Sequence, residues 1–497
     1  MKFAVFADLH LPDREDTVKE QILDWALECA RREHADFLVG AGDLTGFGTL
    51  PAAERLRAKL DRSGIPFLLT PGNAECRDPE SAAAVAELLR TPECAAGFLM
   101  LDSACGRLTL RARELLRDVP PGSVAVTHTP PDAWPEEDRR LFDGARRDLS
   151  LLIAGHVHFD RSQGKIELVR GLDPDKAIGG APAVTFFESA AGGGWKRSEC
   201  VSPAADPHRW PEALREEFLG RLGISGMNAP LESLAFAAEE RVPCFELRFE
   251  SLSSCGDGAL RGALDRWRGE GGNELSLHLP EAGFRDGAVF GGDRLRAALD
   301  AALSLGCCRG TMHVPRFTLG ESRDPGIFSA VAAAVAAALD PALAAGMRIG
   351  VENLHMNINP GEKPDDSRGF GYTSAECAAW IAALRDRVGA PGRIGFHFDI
   401  GHARNNAPYS STEPVASWLA ALGNEIDGCH LHQVTVAPDG SFHNHTPLTG
   451  LYDRLISLAS FLMEWRRIPA LRRAPLFLEI RGGAESSLRG LRRAIRG

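Results

Sequence analysis

The chain has 497 residues, 44% of them hydrophobic and 25% charged, which is too long for one ordinary core and excludes a disordered or fibrous protein. Residues 1–200 carry 25 Lys and Arg against 32 Asp and Glu, and the remainder 31 against 35. Neither part therefore attracts nucleic acid by bulk electrostatics, and the acidic balance suits a small anionic, phosphorylated substrate held through metal ions. With no apolar run reaching the roughly 18 residues that span a bilayer, a strand-like N-terminus and 11 scattered cysteines without C-x-x-C pairs, the expectation is a cytoplasmic protein with reduced thiols and no membrane partner.

In chain order, five short apolar runs each end on residues that bind divalent cations. Residues 3–7 precede Asp8 and His10, 37–39 precede Gly42-Asp43, 67–69 precede Gly72-Asn73, 124–126 precede His128, and 151–153 precede Gly155 and the pair His156 and His158. Strand ends on one edge of a sheet converge. Residues spaced i, i+2 on extended chain point to the same side, so Asp8/His10 and His156/His158 can each serve one cluster. Two divalent ions about 3.5–4 Å apart can hold a hydroxide and clamp the attacking and leaving oxygens of phosphoryl displacement. Such a site needs one bridging carboxylate, a role Asp43 fits, with His, Asp and Asn completing each shell.

The order D-x-H, G-D, G-N, a lone H, then G-H-x-H resembles the calcineurin-like metallophosphoesterases over roughly residues 1–200. The resemblance implies a β-sandwich flanked by helices, with Asp8, His10, Asp43 and His158 around one metal and Asp43, Asn73, His128 and His156 around the other. It further implies that the metals are Mn, Fe or Zn and that Asp43 and His128 are catalytic. Many members of that family read G-N-H-[DE], whereas this chain reads Gly72-Asn73-Ala74-Glu75. The usual proton donor is therefore replaced by a methyl group, and hydrolysis would rely on a good leaving group or an acid from the substrate.

Residues 183–187 read as the last strand of this domain, followed by a Gly192-Gly193-Gly194 turn and a Pro-rich stretch at 202–211. The domains are accordingly expected at 1–203 and 215–497, with 204–214 as linker. Strand patterns then recur at 221–225, 244–249, 274–279, 309–314, 348–353, 395–400, 427–433 and 475–481, alternating with helical segments such as 294–305, 328–339, 374–388, 452–465 and 486–495. Eight βα units predict a (β/α)8 TIM barrel, with an open doubly wound sheet as the alternative.

Metal-type side chains gather near the ends of these strands: His278, His313, Glu352, Asp399 with His402, His430 with His432, and Glu479, joined by His443 and His445 from a loop. Barrels of this kind build their sites at the carboxyl ends of the strands. The segments Gly350-Val351-Glu352-Asn353, Asp399-Ile400-Gly401-His402, His430-Leu431-His432 and Leu478-Glu479 resemble the xylose isomerase-like superfamily, which includes ketose 3-epimerases and endonuclease IV. That resemblance implies a metal quartet of Glu352, Asp399, His430 and Glu479, with Glu352 and Glu479 as catalytic candidates. The endonuclease branch would add His278, His313, His402 and His445 as ligands, giving one to three Zn or Mn ions. The functional expectation is a bifunctional metal-dependent hydrolase, a phosphoesterase fused to a barrel acting on a related sugar or nucleotide. The alternatives are a DNA end-processing nuclease, and a pair in which one domain is a metal-stabilised scaffold.

Overall fold

The computed structural model describes residues 1–355, 365–407, 409–438 and 440–497. The chain packs as two units, Met1–Asp206 with Tyr452–Met463, and Pro207–Leu451 with Glu464–Gly497.

The first unit is a β-sandwich. One sheet orders its strands Trp195–Val201, Ala183–Ser189, Lys2–Phe6, Phe37–Ala41 and Phe67–Thr70. The other places Phe98–Leu101, Ser123–Thr127 and Leu149–Ala154 side by side, flanked by short strands. Within each sheet these central strands are parallel, so the ligand-bearing loops of each sheet leave from one edge. Alternate residues fill the space between the sheets: Phe3, Val5, Val39 and Leu68 from one face meet Phe98, Val124, Val126 and Ile153 from the other. Phe3 lies edge-on to Phe98 at 4.9 Å between ring centroids. Helix Val18–Arg32 buries Val18, Ile22, Leu23, Ala26 and Ala30 along one stripe. Its Lys19 is also buried, with Nζ 2.7 Å from Asp173 and 3.2 Å from Asp175, which ties the loop after residue 171 to the helix.

The second unit is a closed barrel of eight parallel strands: Leu222–Ser225, Cys244–Arg248, Glu274–His278, Arg309–His313, Arg348–Glu352, Ile394–Asp399, Ile426–Leu431 and Leu476–Leu478. The first and last strands pair, Gly223 opposite Phe477, so the sheet has no edge and the open-sheet alternative falls away. Every predicted barrel strand is present.

Two expectations need correction. Helix Pro325–Ala344 is long and apolar enough, by length and composition, to cross a bilayer, where no such segment was expected. Its Val331, Ala332, Val335, Ala336, Leu339 and Leu343 are buried within the barrel unit, as expected of a core helix. The predicted helix over 452–465 begins only at Ala459. Tyr452 instead pairs with Ser457 in an isolated bridge, the Tyr452 hydroxyl donates to the Ala205 carbonyl at 2.6 Å, and the Ser457 amide donates to the Asp175 carbonyl. These partners satisfy polar groups of the segment outside a helix, and tertiary context overrides its propensity.

Candidate metal centres

In the sandwich, the seven predicted ligands meet at one edge. Asp43 stands between two sets: its Oδ2 lies 3.5 Å from His10 Nε2 and its Oδ1 3.3 Å from His128 Nε2. On the first side His158 Nε2 lies 3.9 Å from Asp8 Oδ1, and the His10 and His158 rings stack at 5.5 Å. On the second, His128 Nε2 is 3.1 Å from both Asn73 Oδ1 and His156 Nδ1. Asp8, His10 and His158 present ligand atoms close enough to share one ion.

Backbone geometry at this edge is unusual. Asp8, His10, Asp43, His156 and His158 all adopt positive φ, between 48° and 73°. Non-glycine residues in that region cost energy and persist where the surroundings over-determine them, commonly at functional sites. Gly155 shows how tightly this edge is built, because an added Cβ would sit 2.7 Å from the Ala41 carbonyl oxygen and 2.9 Å from Asp8 Oδ2. Gly155→Ala is expected to lower stability by about 1–3 kcal/mol through overpacking, and to weaken metal retention with it. Thermal unfolding and metal analysis of that variant check both.

The donor set fits a cation. The His128 Nδ1–H donates to the Ala41 carbonyl at 3.0 Å, so Nε2 carries a lone pair. Facing it are an Asn73 oxygen, an Asp43 oxygen and a His156 nitrogen, an arrangement of acceptors that a positive ion would satisfy. With the Asn73 amide turned over, it would donate to both histidines and its oxygen would accept from Arg77 Nη2 at 3.2 Å, the better arrangement without an ion. Burial, then Asp43, raises the Asp8 carboxyl well above its ordinary range. Burial and nearby cations lower His10 and His158, and burial lowers His128, so these imidazoles are neutral and available as ligands.

Ala74 is fully buried and its amide N–H donates to Asp43 Oδ1 at 2.7 Å, so this position orients the Asp43 carboxylate and offers no side-chain proton. Glu75, which lies outside the ligand series, is the hub beneath it. It accepts from the amides of Asp43, Thr45 and Gly72 and from the Thr45 hydroxyl at 2.7–3.0 Å. Its burial two residues after the ligand Asn73 was not readable from composition.

At the carboxyl ends of the barrel strands, the predicted residues form a second cluster. Glu352 is fully buried among His278 Nε2 at 3.2 Å, His313 Nε2 at 3.5 Å, His402 Nδ1 at 3.5 Å and His430 Nδ1 at 3.1 Å. His430 Nδ1 is also 3.2 Å from Glu479 and 3.7 Å from Asp399. The quartet Glu352, Asp399, His430 and Glu479 can share one ion, His278, His313 and Glu352 another, and His402, His432 and His445 a third. His445 Nδ1 lies 3.1 Å from one buried Glu479 oxygen, and the Arg248 guanidinium pairs with the other.

Three residues outside the predicted ligand set complete this cluster. His432 Nε2 sits 3.0 Å from Asp399 Oδ1, and Gly401 leaves room for that ring, since a Cβ there would lie 1.8 Å from His432 Cε1. Glu246 Oε1 accepts from His430 Nε2 at 2.8 Å, and its Oε2 accepts from Thr311 at 2.8 Å and Ser276 at 3.2 Å. This contact orients the ring so that Nδ1 faces the carboxylates. Burial alone would raise the Glu246 carboxyl, but His430 holds it far below the usual range, while His430 itself, despite burial, is raised to about 10 by Glu246 and Glu352. His397, two residues before Asp399 on the same strand, is buried beside His430, and burial lowers it to about 3. Period-two alternation places His397 on the Asp399 face, and Glu246 is the lone carboxylate inside its strand; both signals were present in the sequence.

Convergent carboxylate and imidazole groups at the ends of parallel strands define the class of site that holds divalent cations. Residues 1–160 match the model of the calcineurin-like phosphoesterase family. No curated protein matches the chain. Among solved structures, a D-tagatose 3-epimerase-like protein is 17% identical, with 55% of this chain and 97% of that one covered and a TM-score of 0.40. A 3-keto-D-glucoside 4-epimerase from E. coli is 15% identical over 55% of this chain and 98% of that one, with a TM-score of 0.37. A family 2 AP endonuclease from Brucella melitensis is 15% identical over 55% and 96%, with a TM-score of 0.38.

Proposed function

We propose that this chain is a two-centre metallohydrolase whose first unit hydrolyses a phosphoester. The observation that carries this reading is the placement of Asp43 between two ligand sets, with Asp8, His10 and His158 on one side and Asn73, His128 and His156 on the other. These residues would hold a pair of divalent ions, which would supply a nucleophile at neutral pH and offset charge on the phosphoryl oxygens. The protein's own contribution is positional. Asp43 holds the sets in register, His128 is locked by the Ala41 carbonyl, and Glu75 fixes the loops from beneath. Because Ala74 carries no acid, the leaving group departs without help from that side chain, and esters with acidic leaving groups react fastest.

For the barrel we infer a clustered metal site acting on a related phosphorylated sugar or nucleotide. Glu352 faces His278 and His313 with one oxygen and His402 and His430 with the other, as a bridge between two positions. That arrangement favours hydrolysis over single-metal isomerisation, for which the quartet would suffice, with Glu352 and Glu479 flanking the sugar. Metal analysis of the purified chain tests both proposals: about four or five ions per chain fit two clustered centres, about three fit a binuclear sandwich with a mononuclear barrel. About two would mean that only one centre is loaded. Hydrolysis of p-nitrophenyl phosphate or bis-p-nitrophenyl phosphate that is lost on chelation and restored by Mn or Zn supports the phosphoesterase reading. Metal-independent turnover rejects it.

A further inference from the structure

Two cations flank the sandwich centre without belonging to its ligand series. Lys176 is partly exposed, and its Nζ lies 3.2 Å from His10 Nε2. The loop that carries it is fastened to the ligand segments themselves, the Leu172 amide donating to the Ala7 carbonyl at 2.9 Å and the Ile178 amide to the His158 carbonyl at 3.0 Å. Asp173 and Asp175 hold the same loop against buried Lys19. Arg77 approaches from the other ligand set. Its Nη1 donates to the Gly46 carbonyl at 3.0 Å, and its Nη2 comes within 3.2 Å of the Asn73 amide in that side chain's turned orientation. Its charge also bears on His10 and His128. One positive charge therefore stands beside each half of the cage, while position 74 contributes only a buried methyl group.

We propose that Lys176 and Arg77 are substrate-binding residues that make the sandwich centre selective for a phosphoryl group with two negative charges, a phosphomonoester, over a singly charged phosphodiester. The inference rests on the phosphoesterase reading of that centre and narrows its substrate class. A phosphomonoester is largely dianionic at neutral pH, its second ionisation lying near about 6, and it offers three terminal oxygens. A diester offers two, and its second ester arm would have to pass one of the flanking cations. Charge-assisted contacts to oxygens that only the monoester can present discriminate between the two classes.

The test compares kcat/KM for p-nitrophenyl phosphate and bis-p-nitrophenyl phosphate in the full chain and in its Lys176→Gln and Arg77→Gln variants. Calorimetric binding of inorganic phosphate and metal content are measured on the same samples. The wild type is expected to favour the monoester at least about 10-fold, and each variant to lose about 10- to 100-fold on the monoester but under about 3-fold on the diester, with weaker phosphate binding and unchanged metal content. Lys176→Arg and Arg77→Lys should recover part of the loss. Equal losses on both esters, a wild type that prefers the diester, or metal lost from the variants would overturn the proposal. If the wild type hydrolyses neither ester, the phosphoesterase reading fails by itself. Phosphate binding weakened in both variants would then still support an anion clamp, and binding unaffected by them would overturn it.

Discussion

Replacing Asp43 with Asn is expected to lower phosphoester hydrolysis by about three orders of magnitude or more, the scale reached when charge stabilisation at a reacting phosphoryl group is removed. Asp43 lies within 3.5 Å of imidazoles from both ligand sets, and its Oδ1 also accepts from the Ala74 amide at 2.7 Å. Asn keeps the shape and tolerates the positive φ of 51° at this position, so the fold should survive. What it removes is the negative charge and one ligand oxygen. The checks are p-nitrophenyl phosphate turnover, metal content and circular dichroism. Retained activity with normal metal content would sink the bridging role, whereas unfolding would make Asp43 structural.

Glu352→Gln is expected to have the largest effect in the second unit, stripping one or more ions from the barrel while leaving hydrolysis at the sandwich within about 2-fold of the parent, because sites that share no ligands behave additively. Burial would raise the Glu352 carboxyl, yet His430 and His313 hold it well below its ordinary range, so it is ionised among four imidazoles. Removing one charge from such a buried set costs about 3–5 kcal/mol when nothing replaces it. A lower unfolding temperature with fewer bound ions and unchanged p-nitrophenyl phosphate turnover would meet the expectation. Equal loss of both activities would contradict two separate centres.

Metal stabilisation of the sandwich should also depend on pH, with a definite sign. The Asp8 carboxyl is raised by burial and by Asp43 in the metal-free protein, so folding favours its protonated form. That contribution is complete below the unfolded value of 3.8 and is lost as pH rises through the higher folded value. A cation needs the ionised carboxylate and restores stability on the alkaline side. The rise in unfolding temperature on adding Mn or Zn should therefore be large near neutral pH and shrink on acidification. A rise independent of pH would show that Asp8 is not among the ligands.

Much of the architecture was legible in the sequence. Eight alternating strand and helix patterns were enough to count the barrel, because a parallel strand buried on both faces is a continuous apolar run with a period unlike that of its helices. The helix expected over 452–465 failed because Tyr452 and Ser457 find partners at Ala205 and Asp175, far away in the chain and invisible to a local pattern. The sandwich ligands were readable because each follows an apolar run directly. Lys176 and Arg77 were not, since neither belongs to a ligand spacing and only the loop contacts of Leu172, Ile178 and Gly46 carry them to the cage.

By itself, then, the sequence determined which side chains could bind metal, their order along the chain, and the absence of an acid at Ala74, because residue identity and spacing are local properties. The tertiary structure decided what those residues face. It set Asp43 between two ligand sets, placed Glu75 beneath them, turned His430 through Glu246, and brought His432 against Asp399. Those relations depend on strand register and loop closure across tens to hundreds of residues, and no short-range pattern encodes them.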